Sequence, residues 1–501
     1  MLFFLDQHGC AKNQVDGELI IGHLRAKGWE RTDDPDRADL IIVNSCGFIE
    51  SAKTESIDAV MTAHSAHPRA KVLLAGCLAE RYADDLSEGL TEAAGFFGNG
   101  DLSRIGEAVD ALFSNGAGSA HPVLVTPQKG VSVGERPEIL SFPRSVYVKI
   151  TEGCDNWCSF CAIPLIRGAL RSRSIAEITD ECRDLIARGY YELNLIGQDL
   201  AAYGTGSLDR VDSFAGKDRV ANANANSSAA DSAGNEYFSP LSRLLRSLSS
   251  LEGDFRVRLL YIHPDHFPRD ILPVMASDSR FLPYFDIPFQ SGDGNLLSAM
   301  NRKGNAESYK SLIADIRAAF AAPGNPYGRI ALRTTILTGF PGETDESFEN
   351  TARFLADIRP LWSGSFAWSE EEGTKAADMK KRPTKKAVKA RLDTLLEIQR
   401  RITPEELNYF MGKPLDVLVE ELIPVTAEDE GAPSEGDEGS APVSRLALGR
   451  AWFQAPEVDG SVVLQFEDNQ LDSAGKPIGP GSVVSAVVMG VNGVDVEAVV
   501  R

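Results

Sequence analysis

The stretch Ser145-Val-Tyr-Val-Lys-Ile-Thr-Glu-Gly-Cys154-Asp-Asn-Trp-Cys158-Ser-Phe-Cys161 passes from a β pattern straight into a loop whose cysteines are spaced C-x3-C-x2-C. Three soft thiolates on one short loop suit a four-iron cluster, in which one iron keeps a position open for a substrate or cofactor. A structural zinc site would want a fourth ligand, and no nearby Cys or His with finger-like spacing supplies one.

Downstream, apolar strand candidates recur at Glu192–Ile196, Val257–Leu260, Tyr284–Ile287, Ile330–Ile336 and Ser365–Trp368. Helical stretches such as Ile175–Arg188 and Ala306–Ala321 separate them. With Ser145–Ile150 this makes six strands in βα order, which predicts a partial (β/α)6 TIM-like barrel over residues 142–405, with the cysteine loop after its first strand. Cys182 shares a helical apolar stripe with Ile175, Ile178, Leu185 and Ile186, and reads as packing. Residues 205–239 centre on Ala-Asn-Ala-Asn-Ala-Asn-Ser-Ser-Ala-Ala-Asp-Ser-Ala-Gly, which cannot bury enough apolar area to offset ordering entropy. They read as an exposed, disordered insertion.

Upstream, residues 1–105 alternate short apolar runs with helical stretches and predict an open α/β domain, followed by a connection over 106–141. Leu2–Leu5, Leu40–Val43 and Val72–Ala75 read as buried parallel strands, with Ile20–Lys27 and Ser56–Met61 among the helices. A cysteine follows each strand by a few residues: Cys10, Cys46 and Cys77, adjoined by Gly9, Gly47 and Gly76. Loops after parallel strands open at one carboxyl edge, so these three thiols converge there.

A helix over Thr384–Arg401 precedes five short strand patterns at Leu415–Leu422, Ala447–Phe453, Ser461–Phe466, Ser482–Met489 and Val494–Val500. They predict a small closed all-β barrel over 411–501, interrupted by a flexible acidic loop at 427–443. That region carries 16 acidic and 5 basic side chains, a poor surface for a phosphate backbone. The whole chain of 501 residues has 51 Lys+Arg against 72 Asp+Glu, a net charge of -21, which suits a basic partner. There is no basic, apolar leader at the start and no apolar run of membrane-spanning length, so a cytoplasmic protein without a membrane is expected. Seven thinly spread cysteines fit metal ligation in a reducing compartment better than disulfides. No G-x-x-x-x-G-K-[ST] loop supports ATP hydrolysis.

The CxxxCxxC loop with Phe160 before its last cysteine, on a partial barrel, resembles the radical S-adenosylmethionine superfamily. The three-cysteine α/β domain before it and the small barrel after it, which is similar to a TRAM domain, resemble the methylthiotransferases over nearly the whole chain. His-Gly-Cys-Ala-Lys-Asn-Gln-Val-Asp at 8–16, Val-Asn-Ser-Cys-Gly-Phe-Ile at 43–49, Ala-Gly-Cys-Leu at 75–78 and Asp-Ile-Pro-Phe-Gln at 286–290 look closest to the group that modifies an aspartate of a small-subunit ribosomal protein. The resemblance implies an enzyme with two 4Fe-4S clusters and S-adenosyl-L-methionine: Cys154, Cys158 and Cys161 would hold the radical cluster, and Cys10, Cys46 and Cys77 an auxiliary cluster that carries the sulfur. A radical made from S-adenosylmethionine would take hydrogen from the aspartate β-carbon, which then receives sulfur and a methyl group. It further implies a basic ribosomal protein as substrate, an electron donor such as flavodoxin or ferredoxin, a sulfur donor that the sequence leaves unknown, and a monomer.

Other residues at strand ends are weaker candidates. Gln198 ends the second barrel strand and is assigned to the cofactor, as are Arg333 and Thr335, which alternate on Ile330–Ile336. His263, Gln290 and Ser291 are assigned to the substrate side. Ser291 stands where many members of the ribosomal group carry histidine and the tRNA-modifying relatives tend to carry serine. Gly339–Thr344 reads mainly as a rigid turn with a helix-capping Thr344. The competing readings are methylthiolation of a tRNA adenosine beside the anticodon, which an acidic terminal barrel disfavours, and a non-catalytic iron–sulfur protein that binds the ribosome, which would need no open iron.

Overall fold

The structure is a computed structural model and describes residues 1–114, 122–209, 238–322, 325–424 and 444–501. Its first sheet has six parallel strands: β1 (Leu2–Gln7), β2 (Glu30–Arg31), β3 (Leu40–Ser45), β4 (Lys71–Gly76), β5 (Gly95–Phe97) and β6 (Val123–Leu124), in the order β2-β1-β3-β4-β5-β6. Helices α1 (Ala11–Ala26), α2 (Glu50–Ala66), α3 (Cys77–Gly89) and α4 (Ile105–Phe113) connect them. Every residue of β3 is buried, as its unbroken apolar run requires of a strand covered on both faces.

The segment 106–141 is more than a connection. It contributes most of α4, and β6 pairs with β5 as the sixth strand of this sheet. Strands of two or three residues show no alternation, so β2, β5 and β6 left no period in the sequence.

The second sheet runs β7 (Ser145–Lys149), then, past a two-stranded ribbon of β8 (Thr151–Glu152) and β9 (Arg171–Ser172), β10 (Glu192–Ile196), β11 (Arg256–Leu259), β12 (Phe281–Asp286), β13 (Ala331–Thr338) and β14 (Trp362–Ala367). Its six strands are parallel and adjacent in chain order, the expected partial barrel. The helices between are α5 (Ile163–Arg167), α6 (Ile175–Ala187), α7 (Pro240–Ser249), α8 (Ile271–Ser277), α9 (Gly294–Ala299), α10 (Ala306–Phe320) and α11 (Asp345–Ile358), with α12 (Lys385–Leu407) after β14. Cys182 is buried on α6 with Ile178 and Leu185, and Thr344 caps α11 through a hydrogen bond from Ser347 N–H. The edges of the segment 205–239 are held in place, which corrects its span: Asp209 accepts hydrogen bonds from the backbone and hydroxyl of Ser172, and Ser239 caps α7. The rest of that segment and the 427–443 loop lie outside the described residues.

Strands β15 (Pro414–Ile423), β16 (Ser444–Arg450), β17 (Val462–Glu467), β18 (Val483–Asn492) and β19 (Asp495–Val500) close a small barrel in the order β15-β16-β17-β19-β18. The segment after β16 enters the larger barrel from the amino-terminal ends of its strands. Arg450 pairs with Glu192 at 2.6 Å, Arg258 donates to the Trp452 carbonyl at 2.8 Å, and Trp362 donates to the Phe453 carbonyl at 2.6 Å. Tyr284 donates to Asp459 at 2.6 Å. One apolar cluster accordingly runs from Phe3 and Leu5 through Tyr147 and Trp362 to Phe453 and Val417. With that end filled, the carboxyl ends of the strands are left for chemistry. No described helix is long and apolar enough to cross a membrane.

Candidate functional site

Strands β1, β3 and β4 lie side by side with Asn44 opposite both Gln7 and Ala75, so the residues that follow them emerge at one edge. Cys10 is the N-cap of α1, and Cys77 opens α3. The three loops touch: a Cβ on Gly9 would stand 3.1 Å from the Cβ of Cys46, and one on Gly47 would stand 2.7 Å from the Cys77 carbonyl oxygen. Glycine at these positions lets the cysteine-bearing backbones approach each other.

The second thiol trio sits between β8 and α5. Gly153 has φ +74°, and a Cβ there would meet the Ala169 carbonyl oxygen at 2.1 Å. The loop is fastened to the chain after β12: Ser159 N–H donates to the Met300 carbonyl at 3.1 Å, and the Asn301 amide donates to the carbonyls of Asn156 and Trp157, each at 3.0 Å. Phe160 packs beside Leu296, Met300 and Phe340.

Burial pushes the thiols of Cys77, Cys154 and Cys161 up to about 12 and that of Cys46 upward. Against this, backbone N–H groups point at sulfur: those of Phe48 and Ile49 at Cys46, Asn156 at Cys154, and Ile163 at Cys161. N–H donors of this kind stabilise cluster thiolates. Among the described residues, no three or more His, Cys, Asp or Glu side chains are grouped as a ready ligand set for a single metal ion. The fit to iron–sulfur clusters therefore rests on the donor sets and their loops: two trios of unpaired thiols, each with N–H groups turned toward sulfur.

The trios meet across the junction of the first sheet with the barrel. Cys77 packs against Ala162 and Ile166, the residues just beyond Cys161. Arg167 donates to the Cys77 sulfur at 3.2 Å, to Glu152 at 2.6 Å, to Asp16 at 3.0 Å and to the Asn13 side-chain oxygen. Lys149 completes the set with Asp16 and, at 2.7 Å, Glu152. Burial opposes charge on Glu152, yet Arg167 and Lys149 outweigh it and hold its carboxyl far below the usual range. Sequence reasoning missed this network. Its signal is the i, i+3 pair Asn13 and Asp16 on a helix that buries both.

Several buried polar atoms at the carboxyl ends of the barrel strands have no hydrogen-bond partner: Thr151 Oγ1, Gln198 Oε1 and His263 Nε2. Gln198 uses only its amide nitrogen, toward Glu152 at 3.4 Å. Unsatisfied buried groups are uncommon enough to need a reason, and a polar ligand such as the amino-acid end of S-adenosylmethionine supplies one. Burial drives the His263 pKa down and keeps it neutral, while its stacking partner His266 is raised because Asp199 at 2.6 Å outweighs burial.

The remaining candidates separate. Arg333 pairs with Asp286 at 3.2 Å and with Asp459 from the terminal barrel at 3.3 Å, so its guanidinium ties the two barrels together rather than standing free for a cofactor. Thr335 lends its carbonyl to Gln290 N–H at 2.8 Å and is half-buried. Gln290 is buried at φ +69°. Ser291 is fully buried, and its hydroxyl pairs with that of Thr351 at 2.8 Å and accepts from Asp293 N–H at 3.1 Å. Its side chain therefore works inside the fold, against α11, and not on the substrate side.

Comparison with known proteins matches residues 3–98 to the uncharacterized protein family UPF0004, 148–355 to the radical SAM superfamily and 411–500 to the TRAM domain. A ribosomal protein uS12 methylthiotransferase RimO from Treponema denticola is 54% identical over 99% of this chain and 100% of its own. One from Thermotoga sp. (strain RQ2) is 34% identical over 91% of this chain and 92% of its own. Among solved structures, the radical S-adenosylmethionine methyltransferase TsrM from Kitasatospora setae, determined with cobalamin and a [4Fe-4S] cluster, shares the fold at 14% identity. Its TM-score is 0.52, over 75% of this chain and 73% of that one.

Proposed function

This chain belongs to the RimO family of ribosomal protein uS12 methylthiotransferases, and from that premise we propose that it places a methylthio group on the β-carbon of an aspartate in uS12. Cys154, Cys158 and Cys161 would hold the radical 4Fe-4S cluster, and Cys10, Cys46 and Cys77 a second one. When bound, the clusters and S-adenosylmethionine supply hydrogen abstraction from an unactivated carbon and the sulfur and methyl that replace it, chemistry no side chain offers.

The protein's own residues bind, orient and shield. Gln198 Oε1 and Thr151 Oγ1 are free acceptors for the cofactor's ammonium group. Glu152, held ionised by Arg167 and Lys149, accepts from the Gln198 amide and so fixes which end of that side chain is left free. The plug of residues 450–459 keeps water from entering through the amino-terminal mouth of the barrel. The observation that carries this reading is the contact of Cys77 with Ala162, Ile166 and Arg167. It joins the two thiol trios through one layer of side chains, as proximity between hydrogen removal and sulfur delivery requires.

Charge supports uS12 over RNA. A barrel carrying 16 acidic and 5 basic side chains over 411–501 attracts a basic ribosomal protein and repels phosphates. Electron delivery would fall to a flavodoxin or ferredoxin, and each copy of the chain holds a complete site. Mass spectrometry of uS12 and of tRNA from cells with and without the gene tests the reading. A methylthio increment on uS12 that disappears with the gene is expected, and an increment found on tRNA instead would overturn it.

A further inference from the structure

Four cations lie where α1 meets the barrel: Lys12, Lys149 and Arg167, which are buried, and Arg333, which is half-buried. Three have carboxylate partners within 3.3 Å, namely Lys149 and Arg167 with Asp16 and Glu152, and Arg333 with Asp286 and Asp459. Lys12 has no ion pair or hydrogen bond to its ammonium among the described residues, although the residue is only 8% exposed. Its Nζ stands 3.4 Å from the centre of the Tyr261 ring. A ring face offers about 0.5–2 kcal/mol to a cation, whereas removing an ammonium from water costs several kcal/mol. The ring alone does not offset that cost, so a group of negative charge in direct contact suits this place.

The position says which anion. Lys12 follows Cys10 by two residues on α1, and Tyr261 follows the end of β11, with its N–H donated to Asp286 at the end of β12 at 3.2 Å. Lys12 therefore stands between the amino-terminal thiol trio and the carboxyl ends of the barrel strands. Resting on the proposed function, a substrate side chain presented to both trios has to enter between these elements. We propose that Lys12 is a specificity-determining residue that receives the side-chain carboxylate of the target aspartate, so that the β-carbon next to that carboxylate is held in one place. The neighbouring cations are already paired with internal acids, which leaves Lys12 as the one of the four without a carboxylate partner among the described residues. An asparagine or a neutral side chain in the same place would leave the ammonium buried and unpaired, which is how a site built for one charged group rejects its isostere.

The test measures binding anaerobically, with the fully reconstituted enzyme and S-adenosylmethionine, of uS12 and of uS12 carrying asparagine in place of the target aspartate. The native enzyme is expected to prefer the aspartate form by at least about tenfold, as for other buried charge pairs. Lys12→Met should bind both forms within about twofold of one another, at the affinity the native enzyme shows for the asparagine form. Lys12→Arg, which keeps the charge, should retain part of the preference. A preference that survives in Lys12→Met, or an equal loss for both forms, overturns the assignment. So does an unchanged preference accompanied by lost iron, since Lys12 would then serve only to balance the charge of the amino-terminal cluster. Should Lys12→Met not fold, Lys12→Gln and Lys12→Arg carry the same comparison. If the native enzyme neither binds nor modifies uS12, the proposed function itself falls. If it does both and only the Lys12 comparison fails, this assignment falls alone.

Discussion

The guanidinium of Arg167, on the helix that follows the C-x3-C-x2-C loop, lies 3.2 Å from the sulfur of Cys77, on the helix that follows β4. One side chain thus links the two thiol trios, and its charge is balanced by Asp16 and Glu152. In a buried network of this kind, removing one partner leaves the others uncompensated, at a cost of about 3–5 kcal/mol.

Arg167→Met is therefore expected to lower the melting temperature and to reduce iron bound at the amino-terminal trio. Arg167→Lys, which keeps the charge but loses the planar fork that reaches both acids and the sulfur, should fall between the two. Calorimetry with iron and sulfide analysis after anaerobic reconstitution reads both effects. Full iron loading of Arg167→Met at native stability would show that the link to Cys77 is incidental.

Removing each thiol trio separates its role. Cys154→Ala with Cys158→Ala and Cys161→Ala should retain half the iron and lose all cleavage of S-adenosylmethionine. The equivalent change at Cys10, Cys46 and Cys77 should also retain half the iron, but still cleave S-adenosylmethionine while leaving uS12 without sulfur. Iron counts, 5′-deoxyadenosine formation and uS12 mass together distinguish the two variants. A full complement of iron in either would sink the two-cluster reading.

Gly153→Ala tests the backbone that aims the second loop. Gly153 has φ +74° and its Cβ would collide with the Ala169 carbonyl oxygen at 2.1 Å, a rigid backbone atom that cannot swing aside. The strain of the positive φ adds about 1 kcal/mol. We expect the variant to fold, because the barrel core does not involve this turn, but to bind roughly half the native iron and to lose activity on uS12. Native iron content in Gly153→Ala would refute the argument.

Much of this was legible in the chain. Each cysteine of the first trio follows an apolar run closely, because a strand covered on both faces must be apolar and its loop must surface at the sheet edge. The first strands of the larger barrel were readable for the same reason, and those of the terminal barrel by the alternation of buried and exposed positions seen along β17 and β19. What stayed hidden is polar and buried. Helix α1 buries Lys12, Asn13, Gln14, Asp16 and Glu18 against another part of the chain, so it lacks the apolar stripe by which a helix is recognised, and only its end near Ile20 stood out. Arg333 was assigned to the cofactor because strand alternation tells which residues point inward but not which partners wait there, and Ser291 to the substrate because a place after a strand end does not tell which way its side chain turns. Asp459 and Thr351 are 126 and 60 residues away.

Acid stability follows from the plug beneath the barrel. Glu192 accepts from Arg450 at 2.6 Å and from Arg258 at 2.7 Å, all three buried. Burial opposes its charge, but Arg450 and Arg258 outweigh that and hold its carboxyl at about 2, below the ordinary 4.5. A carboxyl whose pKa is depressed by folding adds stability that is complete above about 4.5 and fades as pH falls toward about 2. The shift corresponds to about 3 kcal/mol. The iron-free chain should therefore lose melting temperature across that interval, and Glu192→Gln should be less stable at pH 7 and flatter between pH 4.5 and 2, since it has no proton to take up there. Because Glu192 lies on β10 and Arg450 at the end of β16, the same variant should loosen the terminal barrel, seen as faster amide exchange over residues 450–459. If Glu192→Gln instead shows the same acid slope as the native chain, the stability of the plug comes from the packing of Trp452 and Phe453 and not from this ion pair.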